Sequence, residues 1–204
     1  MVARFHSSKQ KAKSNKITER NNSVNYFYKT HEEFEKFCAK LVSSREYSLK
    51  SIRADTLYSV FFSSSSPTAP SLMVSDSFNR AVNSFYSVYV NNLIEYLDSD
   101  DFNAAQQRTS RGIGLRYDFS DGLHTKLKML GLKIEWIGCL NDLSKVENEL
   151  LKFYDSIYEL FAFPGLENRS DSVEMLNKVH LKWMTFLNTH PKFIEFKALQ
   201  TPQS

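Results

Sequence analysis

The sequence predicts an all-α protein, an irregular bundle of about five to seven helices with a disordered basic N-terminal tail. Leucines and aromatics recur three and four residues apart over long stretches, the period that makes one face of a helix apolar. Six Gly and five Pro in 204 residues are few for the many turns of an all-β chain. An apolar content of 42% with 16 Phe and 10 Tyr is enough to fill a core, because each buried aromatic removes a large area from water. The length suits one domain with a tail.

Charge separates the two parts. Residues 1–25 hold Arg4, Lys9, Lys11, Lys13, Lys16 and Arg20 against Glu19 alone, six minus one, or +5. Subtracting these from 26 basic and 23 acidic residues leaves 20 and 22, so residues 26–204 carry −2. The stretch SSKQKAKSNKITERNNS buries too little to offset its own ordering entropy, and residues 1–24 are read as unstructured. The tail is taken as residues 1–25 and the single helical domain as residues 26–200.

The first helix is expected to open at THEEFEKFCAKLV, where Thr30 and Glu33 form a capping-box pattern and Phe34, Phe37, Cys38 and Leu41 share a face. YSLKSIRADTLYSVFF places Leu49, Ile52, Leu57, Val60 and Phe61 less regularly and is read as helix. SSSSPTAPS, residues 63–71, is an exposed loop, since Pro67 and Pro70 lack amide hydrogens and serines compete for backbone partners. Asp76 is read as the cap of a long amphipathic helix with Phe78, Val82, Phe85, Tyr89, Leu93 and Tyr96 inward. A short helix after Asp101 would end at Gly112 and Gly114.

Residues 123–137, LHTKLKMLGLKIEWI, support two readings. Leu123, Leu127, Leu130, Ile134 and Ile137 follow helix spacing, while Leu132, Ile134 and Trp136 alternate with Lys133 and Glu135 as in a strand. The helix reading is preferred because LSKVENELLKFYDSIYELF follows, with Leu143, Val146, Leu150, Phe153, Ile157 and Leu160 on one face. GCLND, residues 138–142, would then be a turn between antiparallel helices. Pro164 and Gly165 stop that helix, and Asp171 with Glu174 forms another capping pattern. The next helix should bury Val173, Leu176, Val179, Trp183 and Leu187 and end at His190-Pro191, with at most a short turn after it. Residues 76–97, 142–162 and 172–189 are the expected main walls.

The residues argue against most site chemistries. A zinc site needs about four converging ligands, usually including a close pair. The two Cys, Cys38 and Cys139, lie far apart, and none of the five His (His6, His31, His124, His180, His190) forms such a pair. Both cysteines are read as free buried thiols, and His180 as a core or rim histidine. Asp98, Asp100, Asp101, Asp118 and Asp121 are explained by capping and turns. No catalytic residues, metal or cofactor are assigned, and the chain is read as not an enzyme. No apolar run reaches the roughly 18 residues of a membrane span, and a cytoplasmic or nuclear protein is expected.

Two features point to phosphate. The tail cations Lys9, Lys11, Lys13, Lys16 and Arg20 would contact a nucleic-acid backbone without reading sequence. In RTSRGIGLR, Gly112 and Gly114 would let the backbone approach an anion while Arg108, Arg111 and Arg116 fork onto its oxygens. That loop lacks the full pattern of a dinucleotide or phosphate loop. Tyr26, Phe27 and Tyr28 are read as a staple for the first helix, with stacking on unpaired bases as the alternative. The expected function is therefore a non-enzymatic RNA- or DNA-associated helical protein, with a protein partner or a homo-oligomer formed by its body. The alternative is a helical adaptor in a protein complex, marked by apolar exposure around Leu151 and Tyr158.

Overall fold

The computed structural model describes residues 2–44, 49–99, 127–134 and 146–200. It is mostly helical. In chain order the described elements are α1 (Val2–Ser43), β1 (Leu49–Ile52), α2 (Ala54–Phe61), α3 (Asp76–Asp98), β2 (Leu132–Ile134), α4 (Val146–Leu160), α5 (Arg169–Thr189) and α6 (Pro191–Gln200). α3 packs against α5, α4 and α6 also pack on α5, and α1 rests on β1 and α2.

Several expectations are corrected. Residues 1–24 were expected to lack structure, yet Val2–Ser43 is one helix. Neither Gly nor Pro occurs from residue 2 to 43, and Ala, Lys, Gln and Arg cost little in a helix, so nothing stops the helix that begins in the core from continuing outward. Thr30 is consequently interior rather than a cap and is 4% exposed, and Glu33 lies 3.8 Å from Lys29 on the preceding turn. What holds is the lack of packing: every residue from Ser8 to Asn22 is exposed.

The all-α expectation also fails at one place. β1 and β2 form a two-stranded antiparallel ribbon with Ser51 opposite Lys133 and Ile52 opposite Leu132. The helix reading of residues 123–137 is overturned for the residues described, where one helical turn at 127–129 gives way to β2. Gly131 causes the change, because its φ of +79° lies in the left-handed region that ends a helix. A side chain there would meet the Arg53 carbonyl at 2.8 Å and the Leu57 amide at 3.0 Å. The helix read across residues 49–61 is likewise split, because β2 supplies β1 with a partner and α2 begins only at Ala54.

α3 follows its sequence pattern closely, burying Phe78, Val82, Phe85, Tyr89 and Leu93 together with Tyr86, Val90 and Leu97. Its cap is Ser75 rather than Asp76, since the Ser75 hydroxyl accepts the Phe78 amide at 3.1 Å. Leu150, Phe153, Ile157 and Leu160 of α4 are buried as their spacing implies. α5 starts at Arg169, two residues before Asp171, and buries Leu176 and Leu187 while Val173, Val179 and Trp183 are half-buried. Beyond His190 the chain forms the ten-residue α6, more than a short turn, because Pro191 suits the first position of a new helix. Residues 63–71 do form the expected loop, closed by paired amide–carbonyl bonds of 3.1 Å between Ser66 and Ala69.

The core is aromatic. Phe34 of α1 lies 5.5 to 5.8 Å from Tyr58, Phe61 and Phe62 and 5.1 Å from Phe163. Phe85 of α3 stacks on Phe153 of α4 with ring centres 3.6 Å apart. Polar side chains hold the segment entering α3. Asn168 Oδ1 accepts the Val74 amide at 2.7 Å while its Nδ2 donates to the Val74 carbonyl at 3.0 Å. Glu167 does the same at Leu72, its carboxylate accepting the Leu72 amide and its amide donating to the Leu72 carbonyl, both at 3.2 Å. Asn168→Ala removes two partners from the part-buried Val74 backbone and should cost about 1–3 kcal/mol, measured by urea denaturation. A variant as stable as the parent would show that water replaces both bonds.

Candidate nucleic-acid interface

α1 turns the predicted tail cations into a surface with direction. At about 100° per residue, Lys9, Lys13, Lys16 and Arg20 fall within roughly 60° of one another. They form a line about 16 Å long at a rise of 1.5 Å per residue, and all four are exposed. Lys11 points to the other side, about 200° from Lys9. The same line continues into the docked half of the helix. Phe27 follows Lys9 by about five full turns and is half-buried, and Phe34, Cys38 and Leu41 beyond it are buried. One face of α1 therefore carries cations where it stands clear of the body and aromatic and apolar residues where it meets it.

At the junction lies a cleft of about 370 Å³ whose lining includes Phe27, Tyr28, His31, Asp55, Tyr58 and Phe62. Phe27 packs edge-on to Tyr58 at 5.8 Å and to Tyr28 at 5.5 Å, so of the three residues read as a staple it is the one that ties α1 to α2, and it does so from mid-helix. Tyr26 and Tyr28 keep much of their surface open, being 49% and 62% exposed. The tyrosines thus keep the stacking alternative available while Phe27 takes the structural role.

His31 stands at the cleft with a carboxylate on each side. Its Nδ1 lies 3.6 Å from Glu35 of α1 and its Nε2 3.4 Å from Asp55 of α2. Each of the three residues offers one ligand atom within 4.8 Å of the others. The two carboxylates face opposite ring nitrogens, whereas a single ion would use one nitrogen. The geometry is that of an imidazole bridging α1 to α2, with one carboxylate at each ring nitrogen, rather than of a metal centre. Glu35 follows His31 by one helical turn, a spacing readable in HEEFE, but Asp55 joins them only through the packing of α2 on α1.

Cys38 and His180 are engaged in structure. Cys38 is free and buried, and burial, with Glu35 nearby, pushes its thiol up to about 12, so it is no nucleophile at neutral pH. His180 is half-buried with Nδ1 3.3 Å from the Tyr86 hydroxyl and its ring 4.5 Å from that of Tyr154. Burial pushes the His180 pKa below the ordinary 6.5, partly opposed by Asp155. The folded protein therefore resists a proton that the unfolded chain accepts, and stability is lost as pH falls through 6.5. The thermal midpoint should drop between about pH 7.5 and 5.5 less steeply in His180→Gln, which keeps an acceptor for Tyr86; equal slopes would remove His180 as a cause.

Arg108, Arg111 and Arg116, the predicted loop contacts, lie outside the described residues, as do Cys139, His124, the acids at 100, 101, 118 and 121, and the short helix expected after Asp101. Lys9, Lys11, Lys13, Lys16 and Arg20 all lie on α1, four of them on one face. Among the described residues, no helix is long and apolar enough to cross a membrane. No family model, no curated protein and no solved structure matches this chain.

Proposed function

We propose that this is a non-enzymatic nucleic-acid-binding protein that holds RNA or DNA strands along α1. The reading rests on one juxtaposition, the cationic line of Lys9, Lys13, Lys16 and Arg20 running to Phe27 at the cleft, with Tyr26 and Tyr28 about 100° to either side of it. Phosphates neutralised along that line release condensed counterions, which drives binding without reference to sequence. Exposed tyrosine rings at its inner end offer a stacking surface to unpaired bases, each stacked base contributing about 1–3 kcal/mol. Single strands are thus favoured over duplex.

The test is fluorescence anisotropy with a generic labelled oligonucleotide at low and high salt, using the full chain and a form lacking residues 2–24. Deletion should weaken binding and flatten its salt dependence. Unchanged affinity would overturn the proposal.

A second reading, a helical subunit or adaptor, is favoured by apolar side chains on the opposite helices. Leu151 of α4 is 46% exposed and Leu181 of α5 67% exposed, beside the stacked pair Tyr154 and Tyr158. Light scattering that finds an oligomer dispersed by Leu151→Lys with Leu181→Lys would support self-assembly through this face.

A further inference from the structure

The ribbon carries a second basic feature, formed by residues distant in sequence. Where β1 hands over to α2, a cleft of about 330 Å³ is lined by Ser51, Arg53, Lys128, Gly131, Leu132 and Lys133. Half of the described lining residues are cations and none of them is acidic. Ser51 and Lys133 are register partners, so their side chains stand on the same face of the ribbon. Arg53 has extended backbone angles, φ −86° and ψ 93°, and strand alternation returns it to the side of Ser51. Its position is fixed by its amide, which donates to the Gly131 carbonyl at 2.7 Å, and by Nη2, which reaches the Lys128 carbonyl at 3.4 Å. The left-handed turn at Gly131 brings Lys128 and Lys133 to either side of this anchor.

Among the described residues, no carboxylate lies within ion-pair distance of Arg53, Lys128 or Lys133. Elsewhere Lys29, Lys36 and Lys178 find acids one turn away, as Lys36 does with Glu32 at 2.6 Å. Three like charges held around a concave surface raise its potential and concentrate anions there. The donors also suit a tetrahedral oxyanion: a planar guanidinium fork, two mobile ammonium groups and one hydroxyl.

We infer that this cleft binds a phosphate group. The same chemistry serves a small free phosphate compound or one phosphate of a nucleic-acid backbone. The inference does not depend on the α1 reading, because the residues are different and lie on the ribbon.

The test is isothermal titration of the full chain with pyrophosphate at constant ionic strength. Saturable binding is expected, weakened about tenfold or more by Arg53→Gln or by Lys133→Gln and unchanged by Lys36→Gln. All three side chains are exposed and the backbone bonds of Arg53 survive, so the variants keep the fold, which circular dichroism checks. A single-stranded oligonucleotide is then added to a chain neutralised at Lys9, Lys13, Lys16 and Arg20. Displacement of pyrophosphate assigns the cleft to a nucleic-acid backbone, and retention assigns it to a free phosphate compound. Absence of saturable binding, or binding indifferent to Arg53 and Lys133, would overturn the inference.

Discussion

Phe34→Ala should destabilise the protein by about 3–5 kcal/mol, the range for deleting a buried Phe side chain. Phe34 has no exposed surface and its ring meets those of Phe37, Tyr58, Phe61, Phe62 and Phe163. No other residue of α1 reaches so many rings of the body among the described contacts. A domain of this size is stable by roughly 5–15 kcal/mol, so the loss is a large fraction of the whole, and the thermal midpoint should fall by about 10 °C or more. Phe34→Leu, which leaves a smaller cavity, should recover part of it. Equilibrium urea denaturation followed by circular dichroism measures both. A loss below about 1 kcal/mol in the Ala variant would mean that α1 is not docked through this cluster.

The second large effect concerns charge. Replacing Lys9, Lys13, Lys16 and Arg20 together by Gln removes up to four phosphate contacts. At a slope of about −0.7 to −0.9 per contact, the dependence of log affinity on log salt should flatten by about three. Between 50 and 200 mM salt the parent would then lose about a hundredfold more affinity than the variant. Lys11→Gln alone, on the far side of the helix, should change the slope by less than one contact's worth. Equal slopes for parent and quadruple variant would exclude this face as the phosphate-binding surface.

Both effects depend on α1, the element that sequence reasoning described least well. Its outer half has no apolar stripe, and helices are usually recognised by the face they bury. The relevant signal was an absence: with neither Gly nor Pro through residue 43, the docked helix had no reason to stop. The cations were identifiable one by one, and their spacing of four, three and four was present in the sequence. It acquires meaning only on a helical backbone. By contrast, α3 and α4 were legible because a single burying face explains nearly every apolar residue in them.

The ribbon was hidden for a different reason. Its strands are four and three residues long and pair across about eighty positions, so neither is recognisable without the other. The cleft of Arg53, Lys128 and Lys133 and the meeting of His31 with Asp55 share that origin. Each joins residues that only the packed chain brings together. The alternation of Leu132, Lys133 and Ile134 was a true strand signal, outweighed by helix spacing that Gly131 interrupts.

The most direct test keeps composition and net charge and moves only the cationic line. Exchanging Lys9 with Ser7, Lys13 with Asn15, Lys16 with Thr18 and Arg20 with Asn22 turns each charge by about 200° and carries the four to the opposite side of α1, near Lys11. They then no longer lead into the cleft at Phe27 and Tyr28. Affinity for a single-stranded oligonucleotide at fixed salt should fall about tenfold or more, the equivalent of losing one stacked base. Binding as tight as the parent's would contradict the account, because the helix would then contribute charge alone and its orientation would be irrelevant.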